Sequence, residues 1–231
     1  MITTEEGLEA RGELSTQASL LQLLTSPIVK KSLMALTGLG WCGFLVVHLY
    51  GNLFFYAGPA ALNGYAEHLE ESPFLLPMEI GLLLLLLLHM LLGILVTIEN
   101  RQARPLGYAV QGRKGEKGFA ASTMIYSGLL IAVFLVLHLR HFKFGEHGED
   151  FYTAIVELFR QPLYAVWYVV AVSIVGLHSS HALQSAFRSL GFDHPKYGRG
   201  LRRLSILFGW MIALGFSTFP LWVFFFRRGQ P

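Results

Sequence analysis

The chain has 231 residues, of which 53% are hydrophobic and only 14% charged, with a net charge of +3 and a mean hydropathy of +0.49. Soluble domains carry about 25% charged residues, so this composition, with its long apolar runs, excludes an ordinary soluble fold and places the chain in the membrane class. The small excess of 18 basic over 15 acidic residues names no partner, and no nucleic-acid partner is expected.

In chain order, residues 1–26 read as a polar tail containing Glu5, Glu6, Glu9, Arg11 and Glu13, with no apolar core of a secretory leader. Within it, residues 14–25 carry the pattern of a short amphipathic surface helix. Residues 27–231 read as one all-α membrane domain. A spanning helix needs roughly 20 mostly apolar residues, and five stretches qualify: 33–57, 76–98, 119–139, 163–187 and 204–226. Ser26 and Pro27 suit a helix start, as cap and first-turn proline, and Pro162 opens the fourth span similarly. Pro220 lies inside the fifth and is expected to kink it. The run Leu82 to Leu88 reads as lipid-facing or core bulk.

Lys and Arg set the orientation. Thirteen of them (Arg11, Lys30, Lys31, Arg101, Arg104, Arg113, Lys114, Lys117, Arg188, Lys196, Arg199, Arg202 and Arg203) fall on one side of the spans; Arg140, Lys143, Arg160, Arg227 and Arg228 fall on the other. The amino terminus is therefore expected in the cytoplasm and the carboxyl terminus outside, across the cell's cytoplasmic membrane. The outer connections are acidic, with Glu67, Glu70, Glu71, Glu146, Glu149 and Asp150. No loop is long enough for a separate soluble domain, and neither an internal repeat nor a nucleotide-binding glycine pattern is evident. Chemistry on a water-soluble substrate is expected to sit on another subunit.

Four histidines, His48, His89, His138 and His178, fall in the first four spans, one in each, and the last has a close neighbour in His181. An ionisable residue inside a bilayer is costly and marks a functional site, and neutral imidazole is a common ligand of haem iron. At about 1.5 Å rise per residue, His48 lies roughly 22 Å and His138 roughly 28 Å from the cytoplasmic ends of their spans, while His89 and His178 lie roughly 14 Å in. The ordering yields an outer pair, His48 with His138, and an inner pair, His89 with His178. Two bis-imidazole haems then stack within a four-helix bundle, whose interior is a usual place for cofactors. Depth alone does not separate His178 from His181. The single cysteine, Cys42, forms no internal disulfide, and without a Cys-x-x-Cys-His run any haem is held non-covalently.

Gly51, Gly93 and Ala182 lie three or four residues after His48, His89 and His178, where a macrocycle needs room. Trp41, Phe44, Phe134, Trp167 and Phe187 are candidates to line the rings. His68, His147 and His194 are expected in solvated loops, and His141, between Arg140 and Lys143, reads as an interfacial anchor. No acidic residue lies mid-bundle, since Glu79 and Glu99 fall near opposite ends of the second span, so no proton relay is evident.

The stretch SPIVKKSLMALTGLGWCGFLVVHLYGN at residues 26–52 resembles the cytochrome b558 subunits of succinate dehydrogenases and related fumarate reductases: a serine, a basic pair, a Met-Ala-x-Thr-Gly run, then His and Gly-Asn. The likeness continues through Asn63-Gly64-Tyr65-Ala66, His89 with Leu92-Gly93, His138, and the run from His178 through Ser185-Ala186-Phe187 to Leu190-Gly191. The resemblance implies a five-helix anchor with two haem b groups, whose iron ligands fall on His48, His89, His138 and His178. The family's thirteen-residue spacing from ligand to Gly191 selects His178 over His181. It further implies partnership with an iron–sulfur subunit and a flavoprotein that handles succinate and fumarate, and electron exchange with a membrane quinone, often menaquinone. An anchor cytochrome b of a hydrogenase or formate dehydrogenase would share the haem but not the amino-terminal signature. A histidine-lined transporter or proton channel would place its histidines along one water path.

Overall fold

The computed structural model describes residues 26–103, 119–145 and 150–227. The amphipathic stretch 14–25 and His147 lie outside these residues. Ser26 caps the first helix as expected: its Oγ accepts from the Val29 N–H at 3.3 Å, and Pro27 occupies the first turn. Helix α1 (Pro27–Asn52) runs into a short 3-10 helix (Leu53–Ala57), which Gly58 ends at φ 101°, a conformation that favours glycine. There follow α2 (Pro59–Glu70), α3 (Leu75–Gln102), α4 (Phe119–Phe142), α5 (Phe151–Arg160), α6 (Pro162–Ser189) and α7 (Pro195–Phe226).

The protein is an all-α membrane protein. Five helical segments are long and apolar enough to cross a bilayer: Pro27–Ala57, Leu75–Gln102, Thr123–Phe142, Pro162–Ser189 and Pro195–Phe226. Their outward faces are apolar as well. Leu83, Leu84 and Leu87 of α3 are each more than half exposed, which suits hydrocarbon rather than water as the surrounding medium.

Helices α1, α3, α4 and α6 form a ring: α1 packs on α3 and α6, and α4 packs on α6 and, sparingly, on α3. Helix α7 lies outside the ring along α6 and also touches α1. The α6–α7 contact is the most extensive. It is made close by two glycines, since a Cβ on Gly176 would stand 2.5 Å from the Gly209 carbonyl oxygen, and one on Gly209 would stand 2.5 Å from that of Gly176. Without a hydrophobic drive between helices in lipid, such backbone proximity is a main source of association. The thinly packed α3 is also clamped by charge. Glu99 pairs with Lys30 of α1 near one end, and Glu79 accepts from Lys143, just past α4, at 2.5 Å near the other.

The densest core lies at one end only, where Phe55, Leu62, Ile155, Val156, Phe159, Tyr168, Phe219 and Val223 are buried together. Helices α2 and α5 supply part of it and close this capped end of the ring. The sequence reading treated both segments as connections. At 12 and 10 residues they are too short to span a bilayer, yet Ile155, Val156 and Phe159 make an apolar face at helical spacing. His68 accordingly lies in the last turn of α2 rather than in a loop. His194 is the cap of α7, its Nδ1 accepting from the Lys196 N–H at 3.2 Å, so that helix starts nine residues before the expected 204. The charges on its first turns hid this start from a search for apolar length. Pro220 sits fully buried inside α7, where its missing N–H leaves the Phe216 carbonyl without its usual helical donor.

Asn63 and Asp150 join the two capping helices. Asp150 accepts from the Thr153 hydroxyl at 2.6 Å, the Thr153 N–H at 3.0 Å and the Asn63 amide at 3.1 Å, while Asn63 Oδ1 accepts from the Tyr152 N–H at 2.9 Å. These donors, Thr153 foremost, hold the Asp150 carboxyl below its ordinary range. A lowered folded-state pKa means that the stabilisation is present above the unfolded value of about 3.9 and is lost as pH falls through the folded value. Amide exchange in α5 should therefore accelerate below about pH 4 beyond its intrinsic trend, and D150N should flatten that dependence. For the α6–α7 seam, Gly176→Val should lower the thermal midpoint in detergent by overpacking, at a cost of about 1–3 kcal/mol. An unchanged midpoint would contradict the close approach.

Candidate functional site

A cavity of about 2910 Å³, open on one flank where exposed Leu83 of α3 and Leu129 of α4 join its lining, runs between the helices from the capped end to a basic end lined by Arg101, Arg188, Arg199 and Arg202. An ordinary small-molecule pocket is roughly 300–1,000 Å³, so this one is sized for more than one large apolar ligand. His48, His89, His138, His178 and His181 all line it.

Nearer the capped end, the His48 and His138 rings face each other with centroids 5.9 Å apart and planes at 90°. A metal ion held between two imidazole nitrogens at about 2 Å from each puts the ring centres roughly 6 Å apart. The surroundings are aromatic. Phe44 stacks on His48 at 5.2 Å and Phe216 stands 5.6 Å from it; Phe142 and Phe134 stand 5.2 and 5.5 Å from His138. The His138 Nδ1 is buried and has no hydrogen-bond partner among the described residues. A buried imidazole nitrogen without a partner is costly.

Toward the basic end the second pair is built differently. His89 Nδ1 lies 3.0 Å from the Thr37 hydroxyl on α1, and His178 Nδ1 lies 2.9 Å from the Ser127 hydroxyl on α4. Each hydroxyl already donates to its own helix. Thr37 reaches the Leu33 carbonyl at 2.9 Å and that of Met34 at 3.0 Å, and Ser127 reaches the Met124 carbonyl at 3.0 Å. A hydroxyl has one proton; with that proton on the helix carbonyl, each oxygen accepts from the ring. In that arrangement both imidazoles carry the proton on Nδ1 and present the Nε2 lone pair to a ligand. A glycine follows each hydroxyl on the facing helix: Gly38, where a Cβ would stand 3.1 Å from His89 Cε1, and Gly128, where it would stand 3.6 Å from His178 Cε1.

These correspondences expose a repeat that was not evident on the first reading. Residues 34–49 (MALTGLGWCGFLVVHL) and 124–139 (MIYSGLLIAVFLVLHL) are identical at eight of sixteen positions, covering the methionine, the glycine, the phenylalanine four before the histidine, and the histidine itself. In each copy the histidine follows the hydroxyl residue by eleven positions, or about 16 Å along the helix. The hydroxyl in turn bonds the histidine of the next spanning helix, so α1 and α3 correspond to α4 and α6. The two tiers of imidazoles lie about 16 Å apart in both halves. Under this correspondence the counterpart of His89 is His178. His181 stands one turn further toward the basic end, within the field of Arg202.

Other expected neighbours divide. Gly93 and Ala182 face the cavity, and nothing stands within 4 Å of a Cβ on Gly93. The space at Gly51, though it lines the cavity, is taken by Tyr65, whose hydroxyl would lie 2.6 Å from a Cβ there. Trp41, Phe44 and Phe134 line the cavity. Trp167 instead packs against the capped-end core, and Phe187 meets Phe192 edge-on at 6.0 Å near the end of α6. His141 is held by Tyr168, with Nδ1 2.9 Å from the phenol oxygen. Thr37, Ser127, Gly38 and Gly128 join the site residues expected from the sequence, and the repeat is the signal in the letters that marks them.

Among the described residues no three His, Cys, Asp or Glu side chains converge on one point. A bare metal ion needs three or four protein ligands. Two imidazoles suffice when a macrocycle supplies the equatorial nitrogens, as in haem. The His48–His138 ring spacing, the hydroxyls beside His89 and His178, and the large cavity fit that group. The chain matches no protein-family model, no curated protein and no solved structure.

His138→Leu separates a burdened imidazole from a satisfied one. In protein stripped of any bound ligand, the substitution should raise the thermal midpoint, since it removes a buried unpaired polar group that costs about 1–3 kcal/mol. A lowered midpoint in the stripped protein would mean that the nitrogen has a partner.

Proposed function

We propose that this chain is the di-haem cytochrome b membrane anchor of a succinate:quinone oxidoreductase of the cytochrome b558 type. The observation that carries the reading is the His48–His138 ring pair, with centroids 5.9 Å apart, in one large cavity that His89 and His178 also line. In this reading His48 and His138 hold one haem b, and His89 and His178 hold the other. Haem iron, when bound, supplies one-electron exchange at a potential set by its ligands, their hydrogen bonds and the surrounding dielectric. The chain's own work is to hold and orient the imidazoles, to keep water from them with Phe44, Phe134, Phe142 and Phe216, and to fix the tautomer of the inner pair.

The succinate-linked assignment rests on the motif around His48 and its continuation through Gly191. It brings an iron–sulfur subunit and a flavoprotein as partners, with the succinate site on the flavoprotein, and a membrane quinone, menaquinone by preference, as the redox substrate. The excess of Lys and Arg at the α1-entry end supports a cytoplasmic amino terminus and an outer carboxyl terminus. The iron–sulfur partner then docks on the basic end and the capped end faces outward.

A reduced-minus-oxidised absorption spectrum tests the reading directly. The purified complex should show a bis-histidine b-type signal with two haems per chain, and a colourless protein would end the proposal. H48A should remove the haem nearer the capped end and spare the other, and H178A should do the reverse. A flavoprotein should co-purify; a nickel or molybdenum protein in its place would move the chain to a hydrogenase or formate dehydrogenase anchor.

A further inference from the structure

The repeat places one hydroxyl on each half of the bundle against one histidine of the inner tier, and nothing of the kind against His138. We infer that Thr37 and Ser127 are a matched pair of positioning residues that set the orientation, tautomer and donor strength of His89 and His178. The inference rests on the di-haem reading and extends it to residues that touch neither metal nor macrocycle.

Geometry comes first. Thr37 and Ser127 are buried, with 5% and 8% of their surface exposed, and each sits in mid-helix, where its hydroxyl is tied to a carbonyl three or four residues back. Such back-bonding fixes the rotamer and aims the oxygen's lone pairs across the helix interface. The oxygen can then only accept from the facing Nδ1–H. Gly38 follows directly and lets the His89 edge come close to the α1 backbone, whereas a Cβ at Gly128 would meet His178 at ordinary contact distance. A hydroxyl with its adjacent glycine thus forms one seat, repeated in both halves.

The electronic consequence follows from that seat. An imidazole whose distal N–H is drawn toward an acceptor is a stronger donor through its other nitrogen. A stronger axial donor favours the ferric over the ferrous state and lowers the potential of the iron it binds. Removing either acceptor should therefore raise the midpoint of the inner haem and leave the outer one unmoved. A contribution limited to packing would shift neither.

Redox titration of the purified complex, followed by optical and electron-spin signals of each haem, tests this with T37V and S127A, and with T37S and S127T as exchanges that keep the hydroxyl. Both valine and alanine variants should shift the inner midpoint upward, by up to about tenfold in the ferric-to-ferrous ratio at fixed applied potential, or about 59 mV for one electron. Loss of the inner haem alone from either variant supports the same role. T37S and S127T should load and titrate as the unsubstituted chain does. If T37V or S127A empties the bundle of both haems, these exchanges decide, and their failure to load overturns the proposal. An inner midpoint indifferent to T37V and S127A at full loading overturns this inference while the di-haem reading stands. An unsubstituted chain without haem overturns the di-haem reading and this inference with it.

Discussion

An imidazole buried in hydrocarbon must present its nitrogens to something, and much of this molecule is arranged around that demand. Five of its nine histidines line the cavity of one helical ring. Two have one nitrogen satisfied by a hydroxyl on a facing helix, and His138 has a nitrogen with no partner among the described residues. The ring is correspondingly hollow where the histidines stand and dense where they do not. Packing that would ordinarily fill a bundle is displaced to the capped end and to the α6–α7 seam. The helices are held at the rim, by glycines against backbone on one side and by the Lys30–Glu99 and Lys143–Glu79 pairs on the other.

The two tiers differ in the chemistry offered to a ligand. The inner imidazoles come with tautomer and orientation already set by Thr37 and Ser127. The outer imidazoles are caged by aromatic rings. Hydrogen bonding and dielectric are both means of tuning a haem iron, and in the di-haem reading each acts on a different tier. The same scaffold can thus give two chemically identical groups distinct properties without a charged residue in the membrane interior.

Much of this was legible in the sequence because membrane spans are written in long apolar runs and a buried histidine interrupts them. The five spans, the cap at Ser26, the proline starts and the depth ordering all follow from length and spacing. The short helices α2 and α5 escaped because 12 and 10 residues fall below the length of a span. The early start of α7 was hidden by Lys196, Arg199, Arg202 and Arg203, charges that read as loop. Thr37 and Ser127 were invisible for a different reason. A hydroxyl in an apolar helix usually bonds its own backbone, and only the facing histidine gives it a second role. The repeat containing them was present in the letters all along, but half of its positions differ, and its meaning depends on which helices face each other. The space assigned to Gly51 failed similarly, because the Tyr65 that fills it comes from a segment read as a loop.

The repeat also bears on how the molecule is made. Each tier takes one histidine from the α1–α3 half and one from the α4–α6 half, so a chain stalled between the halves holds single imidazoles and no completed pair. The His48–His138 pair needs α4 as well as α1, and the His89–His178 pair also needs α6, the helix that packs on both α1 and α4. In the di-haem reading, capture at the second pair is thereby deferred until the last helix of the ring is in place, and a chain truncated after α3 holds no complete pair of ligands.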